Sequence, residues 1–133
     1  MIVDASAILA ILKGEAEAST FLAALTEASA RRLSAATYVE VSIVVDNSHE
    51  AFIVRDYERL LQEYGFVIEP VTEAQARIAR HAFREFGAGT ASPAQLNFGD
   101  CFSYALAMER NEPLLYKGSD FDHTDVRSAT DEQ

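Results

Sequence analysis

The stretch Leu96-Asn97-Phe98-Gly99-Asp100-Cys101-Phe102-Ser103-Tyr104-Ala105 sets a single carboxylate, Asp100, among apolar and small residues. Residues 101–108 have helical spacing and carry no charge. Asp100 therefore falls in the first turn of a largely buried helix. Free N–H groups and a partial positive charge at a helix N-terminus tolerate a carboxylate there. Alone, such an aspartate is most simply a cap. Two more acids stand in similar surroundings. Asp4 follows an apolar strand at the start of the chain, and Glu40 interrupts another apolar helix. An unpaired ionised carboxylate inside a core is too costly to persist. For Glu40 by itself, an exposed helix edge accounts for the residue as well as a ligand role does. Three acids in apolar settings, far apart in sequence, are read together as converging on a divalent metal ion.

The bulk composition bounds what such a centre can serve. A chain of 133 residues with 49% hydrophobic residues makes one domain with a real core. No apolar run approaches the roughly 18 residues of a membrane span, so no membrane role is expected. The N-terminus lacks a signal-peptide pattern, which gives a cytoplasmic expectation. The single cysteine, Cys101, reads as a small core residue rather than a nucleophile. Net charge is −10, from 21 acidic and 11 basic residues. That argues against a protein gripping nucleic acid by bulk electrostatics. It leaves room for a nuclease, because a bound metal reverses the sign of a carboxylate cluster towards phosphate.

Outward from Asp100, strands alternate with helices. Residues 1–3 form a strand with Asp4 at its C-terminal end, and Ser6 caps a helix over 8–13. A second helix covers 15–28, and a strand covers 33–35. Thr37 opens a helix whose apolar face carries Val39, Val41, Ile43, Val44 and Val45 around Glu40. Ser48 caps a helix over 51–64. A strand at 66–68 and a helix at 73–86, capped by Thr72, come next. Arg77, Arg80 and Arg84 form one basic stripe on that last helix. Residues 87–95 are a loop rimming the Asp100 helix. Residues 114–116 are a strand, followed by Lys117-Gly118-Ser119-Asp120-Phe121. A brief edge strand is expected near Val126, and residues 128–133 read as a polar, frayed tail beyond a domain at 1–127. The alternation predicts a compact α/β domain with a small central parallel sheet flanked by helices.

Four motifs together resemble the PIN-domain ribonucleases, and among them the VapC toxins of bacterial VapBC toxin–antitoxin systems. They are Met1-Ile2-Val3-Asp4-Ala5-Ser6-Ala7, Tyr38-Val39-Glu40, Leu96-Asn97-Phe98-Gly99-Asp100-Cys101, and Leu114-Leu115-Tyr116-Lys117-Gly118-Ser119-Asp120-Phe121. The resemblance spans nearly the whole chain and implies a PIN-like fold. Asp4, Glu40 and Asp100 match the family's three main acids. Many members carry a fourth acid two residues before the Asp-Phe pair. That position is Gly118 here, so Asp120 is chosen, with Asp122 and Asp125 as reserves.

The activity so implied is Mg²⁺- or Mn²⁺-dependent hydrolysis of RNA, with Asp4, Glu40, Asp100 and Asp120 around the ion. Ser6 and Asn97 would supply supporting hydrogen bonds. Arg31, Arg32, Arg77, Arg80 and Arg84 are candidate RNA contacts. The resemblance also implies a cognate VapB-type antitoxin lying in an apolar groove, lined by the helices at 15–28 and 51–64, and a homodimer. His49, His81 and His123 read as surface or structural residues. No spacing supports zinc or a phosphate-cradling glycine loop. An aspartyl-nucleophile phosphatase would show a second Asp where Ser6 stands. A non-catalytic PIN-like binding module would have lost some of the acids.

Overall fold

A computed structural model describes residues Met1–Thr130. Four short strands, β1 (Ile2–Val3), β2 (Arg32–Ser34), β3 (Val67–Glu69) and β4 (Leu114–Leu115), form one sheet in the order β3-β2-β1-β4. All three pairings are parallel. Six helices join and cover them: α1 (Ala5–Leu12), α2 (Ala18–Glu27), α3 (Ala35–Asn47), α4 (Ala51–Glu63), α5 (Glu73–Phe86) and α6 (Phe98–Arg110).

Strand side chains alternate between the two faces, so one short strand feeds two cores. Val3 and Leu115 join the layer with Ile8, Phe21, Leu25, Val41 and Tyr57. Ile2 and Leu114 join the opposite layer with Leu96, Tyr104, Leu106 and Phe121. The register matches Ile2 with Leu114 and Val3 with Leu115, which keeps each pair on one face. A parallel sheet gathers the C-terminal ends of its strands on one edge. Asp4, the start of α3 and Lys117 all follow strands there.

Several local expectations change. Asp4, not Ser6, caps α1, which starts at Ala5. Both are good caps; the helix starts directly after the strand, and the Asp4 carboxylate accepts from the Ser6 N–H. The helix expected from residue 15 begins at Ala18, and Glu15 and Glu17 lie ahead of it as partners of Lys117. Ser34 caps α3 in place of Thr37, which is buried. Ser48 closes α3, and its hydroxyl accepts from the Glu50 N–H, but α4 has no side-chain cap. Only Val41 and Val45 of the apolar run on α3 enter the core, while Val39 and Ile43 are 53% and 55% exposed. No strand forms at Val126; Ser128 instead bridges Leu114, and the Ala129 N–H donates to the Leu114 carbonyl at 2.9 Å. Residues 128–130 thus cover the β4 edge rather than fray. Residues 131–133 of the expected tail lie outside the described residues.

Candidate active site

Asp4 leaves β1 in extended conformation, and its N–H donates to the Leu115 carbonyl at 2.9 Å. Its Oδ2 accepts from the Ser6 N–H at 3.0 Å and the Ser6 hydroxyl at 2.8 Å. The Ser6 hydroxyl oxygen in turn accepts from the Lys117 N–H at 2.9 Å, tying the ends of β1 and β4 together. Asp4 is only 2% exposed, and its Oδ1 is buried with no hydrogen-bond partner among the described residues. Leaving such an atom unsatisfied costs about 1–3 kcal/mol, more for a charged group.

Asp100 is the third residue of α6 and closes a capping box with Asn97. Asn97 Oδ1 accepts from the Asp100 N–H at 2.8 Å, and Asp100 Oδ2 accepts from the Asn97 N–H at 3.0 Å. Asn97 thus holds the acid's backbone and side chain at once. Burial pushes the Asp100 carboxyl up to about 6; the Asn97 bond opposes that rise, and the charges of Asp4, Glu40 and Asp120 add to it.

Glu40 reaches the same place from α3. Its pKa is raised by burial and then by the charge of Asp4. One turn before Glu40 and one turn after Asp100, the hydroxyls of Thr37 and Ser103 meet at 3.2 Å in the buried seam between α3 and α6. Gly99 lies directly against Glu40: a Cβ on Gly99 would overlap the Glu40 carboxylate. Sequence reading misses both devices. The available signals are a glycine in the first turn of a helix and hydroxyl residues three positions from each acid.

The three candidates for a fourth acid differ in their partners. Asp122 accepts from the Tyr116 hydroxyl, and Asp125 accepts from the Tyr104 hydroxyl at 2.6 Å. Asp120 opens a 3-10 turn over Asp120–His123, is exposed, and contributes to the rise of Asp100. Cys101 is buried, and burial with the Asp100 charge pushes its thiol up to about 11, so it stays protonated at neutral pH.

Two of the five candidate arginines are engaged within the fold. Arg31 donates to the carbonyls of Leu25, Ala28 and Tyr64. Arg32 pairs with Glu112 at 2.9 Å. Both stand at the N-terminal ends of the strands, away from the acids. A cavity of about 680 Å³ lies at that end too, lined by Met1, Arg32, Glu112 and Pro113. Of the two carboxylates in its lining, Glu27 and Glu112, the second is engaged by the N-terminal ammonium and Arg32. Arg77, Arg80 and Arg84 are exposed on α5. His49, His81 and His123 are exposed, and none joins the acids.

The donor set fits a hard divalent cation: carboxylate oxygens, one of them buried and unpartnered. Among the described residues no three His, Cys, Asp or Glu side chains close on one point as a finished ion cage does. Mg²⁺ needs no such cage, because it keeps several waters and takes one or two carboxylates.

A three-layer α/β/α domain with acids gathered at the C-terminal edge of a parallel sheet defines a class, and the PIN domain family profile matches residues 1–127. The chain belongs to the PIN-domain family. Within it, the chain groups with the VapC ribonucleases. It is 56% identical over 131 residues to Ribonuclease VapC28 of Mycobacterium tuberculosis, covering 98% of each chain. It is 46% identical to Ribonuclease VapC42 of the same species, covering 97% of this chain and 98% of that one. Among solved structures, Mycobacterium tuberculosis VapC20, titled a sarcin-ricin loop cleaving toxin, superposes with a TM-score of 0.72 at 16% identity, covering 94% of this chain and 95% of that one. A toxin–antitoxin complex from Klebsiella pneumoniae gives 0.66 at 18% identity, covering 90% and 88%. These two likenesses support the fold alone.

Proposed function

We propose that this chain is the toxin of a type II toxin–antitoxin pair, an endoribonuclease that hydrolyses RNA phosphodiester bonds with Mg²⁺ or Mn²⁺. The observation that carries the reading is the buried, unpartnered Oδ1 of Asp4, next to two acids, Glu40 and Asp100, whose pKa values are raised by burial and by the charge of Asp4. Asp4 and Asp100 would hold the ion, with Glu40 completing the set and Asp120 orienting water from its exposed turn. A divalent ion bound there neutralises phosphate charge and lowers the pKa of a coordinated water. Ser6 and Asn97 fix the two main carboxylates by the hydrogen bonds described above.

The partner reading has its own support. Val39, Ile43 and Val44 of α3 and Phe52 and Val54 of α4 are exposed apolar side chains on the helices flanking Glu40. An antitoxin segment of apolar and basic character would cover them and suit a chain of net charge −10. α3 and α4, rather than α2 and α4, supply this face. No helix among the described residues is long and apolar enough to cross a membrane.

Cleavage of labelled RNAs by purified, antitoxin-free protein tests the activity. Turnover should appear with Mg²⁺ or Mn²⁺ and vanish with a chelator, and phosphomonoesters should be inert. Folded, metal-supplied protein that cleaves none of the RNAs would contradict the proposal.

A further inference from the structure

Residues 116–119 join β4 to the 3-10 turn that carries Asp120. Little in that link fixes itself. Gly118 has φ +92°, a left-handed backbone open to glycine and costly for other residues. Ser119, at the head of the turn, makes no side-chain cap. Lys117 fastens the link at two points. Its N–H donates to the Ser6 hydroxyl at 2.9 Å, in the first turn of α1. Its amine reaches the segment between α1 and α2, where it donates to Glu15 and lies 3.5 Å from Glu17. Glu15 is itself anchored, because its N–H donates to the Ala10 carbonyl at 2.9 Å. One lysine therefore spans α1 from its first turn to the segment beyond its last.

As stabilising devices these ion pairs are weak. The side chains of Lys117, Glu15 and Glu17 are 36%, 34% and 39% exposed, and exposed pairs contribute little to folding. Their placement accounts for them better. A hydroxyl has one proton to give and lone pairs to accept with. The Lys117 N–H takes the accepting side of the Ser6 oxygen, which leaves the Ser6 proton for Asp4 Oδ2, at 2.8 Å. The Ser6 N–H donates to the same Oδ2 at 3.0 Å. Asp4 is thereby held with its other oxygen, the buried Oδ1, unpartnered.

We propose that Lys117, clamped by Glu15 and Glu17, is a positioning residue for the cation centre: it holds Ser6 on Asp4, so that Oδ1 stays free for the ion, and it sets the start of the turn that presents Asp120. The proposal rests on the nuclease reading and adds three residues that touch neither ion nor RNA.

Lys117→Met tests it, because it removes the ammonium and keeps the stem. If charge alone mattered, losing a positive group near carboxylates would tighten cation binding. Loss of positioning weakens it. Mn²⁺ uptake by Lys117→Met should fall about tenfold, with the metal-free melting temperature within about 4 °C of wild type. Lys117→Arg should stay close to wild type. Lys117→Glu should lose uptake, and adding Glu15→Lys, which reverses the pair, should recover most of it. Uptake by Lys117→Met equal to or tighter than wild type would overturn the proposal and leave the nuclease reading standing. A larger fall in metal-free melting temperature would assign the clamp to the fold, which overturns it too. Should Lys117→Met not fold, the reversed pair decides, and uptake that it does not recover overturns the proposal. Wild-type protein that takes up no Mn²⁺ would remove the cation centre itself, and both readings with it.

Discussion

Asp100→Asn should reduce RNA cleavage by about 10³-fold, a loss of about 4 kcal/mol of transition-state stabilisation, and should raise the melting temperature of the metal-free protein at pH 7.5. The two effects share one cause. The Asp100 carboxyl is raised from 3.8 to about 6, chiefly by burial and then by three neighbouring acids. The folded chain therefore holds this proton over a pH range where the unfolded chain has lost it. Stability falls as pH rises from about 4 to about 6, and the full cost persists above that. Asparagine removes the charge. It also keeps an oxygen to accept from the Asn97 N–H, so the capping box survives. Asp100 keeps access to solvent, which screens part of this cost. A gain of about 1 kcal/mol, or a few degrees, remains. The gain should nearly vanish at pH 3.5, where Asp100 is protonated in the folded chain and mostly protonated in the unfolded one. Calorimetry at the two pH values, with and without chelator, checks it. A variant destabilised at pH 7.5 would mean that Asp100 is an ordinary cap.

Gly99→Ala is the second large expectation. Gly99 is the second residue of α6, where alanine is the better helix former by about 1 kcal/mol. Its Cβ would overlap the Glu40 carboxylate, which is the movable end of a flexible side chain. Glu40 should therefore swing away while the fold holds. Misplacing one group of a reacting constellation by about 1 Å can cost 10²-fold. The expected result is cleavage lower by about 10- to 100-fold with an unchanged or higher melting temperature. Unaltered activity would remove Glu40 from the machinery. Lost folding would show that Gly99 serves packing rather than the site.

How far the sequence shows this site depends on what each residue meets. Asp100 is legible because a first-turn acid ahead of an uncharged helical run contrasts with everything around it. Asp4 is legible because strands in a parallel sheet carry function at their C-terminal ends. The cap of α1 is less so, since Asp4 and Ser6 have similar capping power and only where the helix begins decides between them. The apolar run on α3 promises a buried face, but periodicity cannot tell a core from a covered docking surface. Arg31 and Arg32 look free in sequence. They fold back onto carbonyls and Glu112, contacts 3 to 80 positions away. That Asp122 and Asp125 accept from tyrosine hydroxyls while Asp120 stands exposed is something no local pattern reveals.

Binding of Mn²⁺, followed by loss of the free-ion electron paramagnetic resonance signal, tests the central claim most directly. The claim is that Asp4, at the end of β1, and the acids of α3 and α6 form one cation centre. Wild-type protein should take up the ion, and Asp4→Asn and Asp100→Asn should each weaken uptake by at least about tenfold. Equal uptake by all three proteins would place the ion elsewhere and contradict the account.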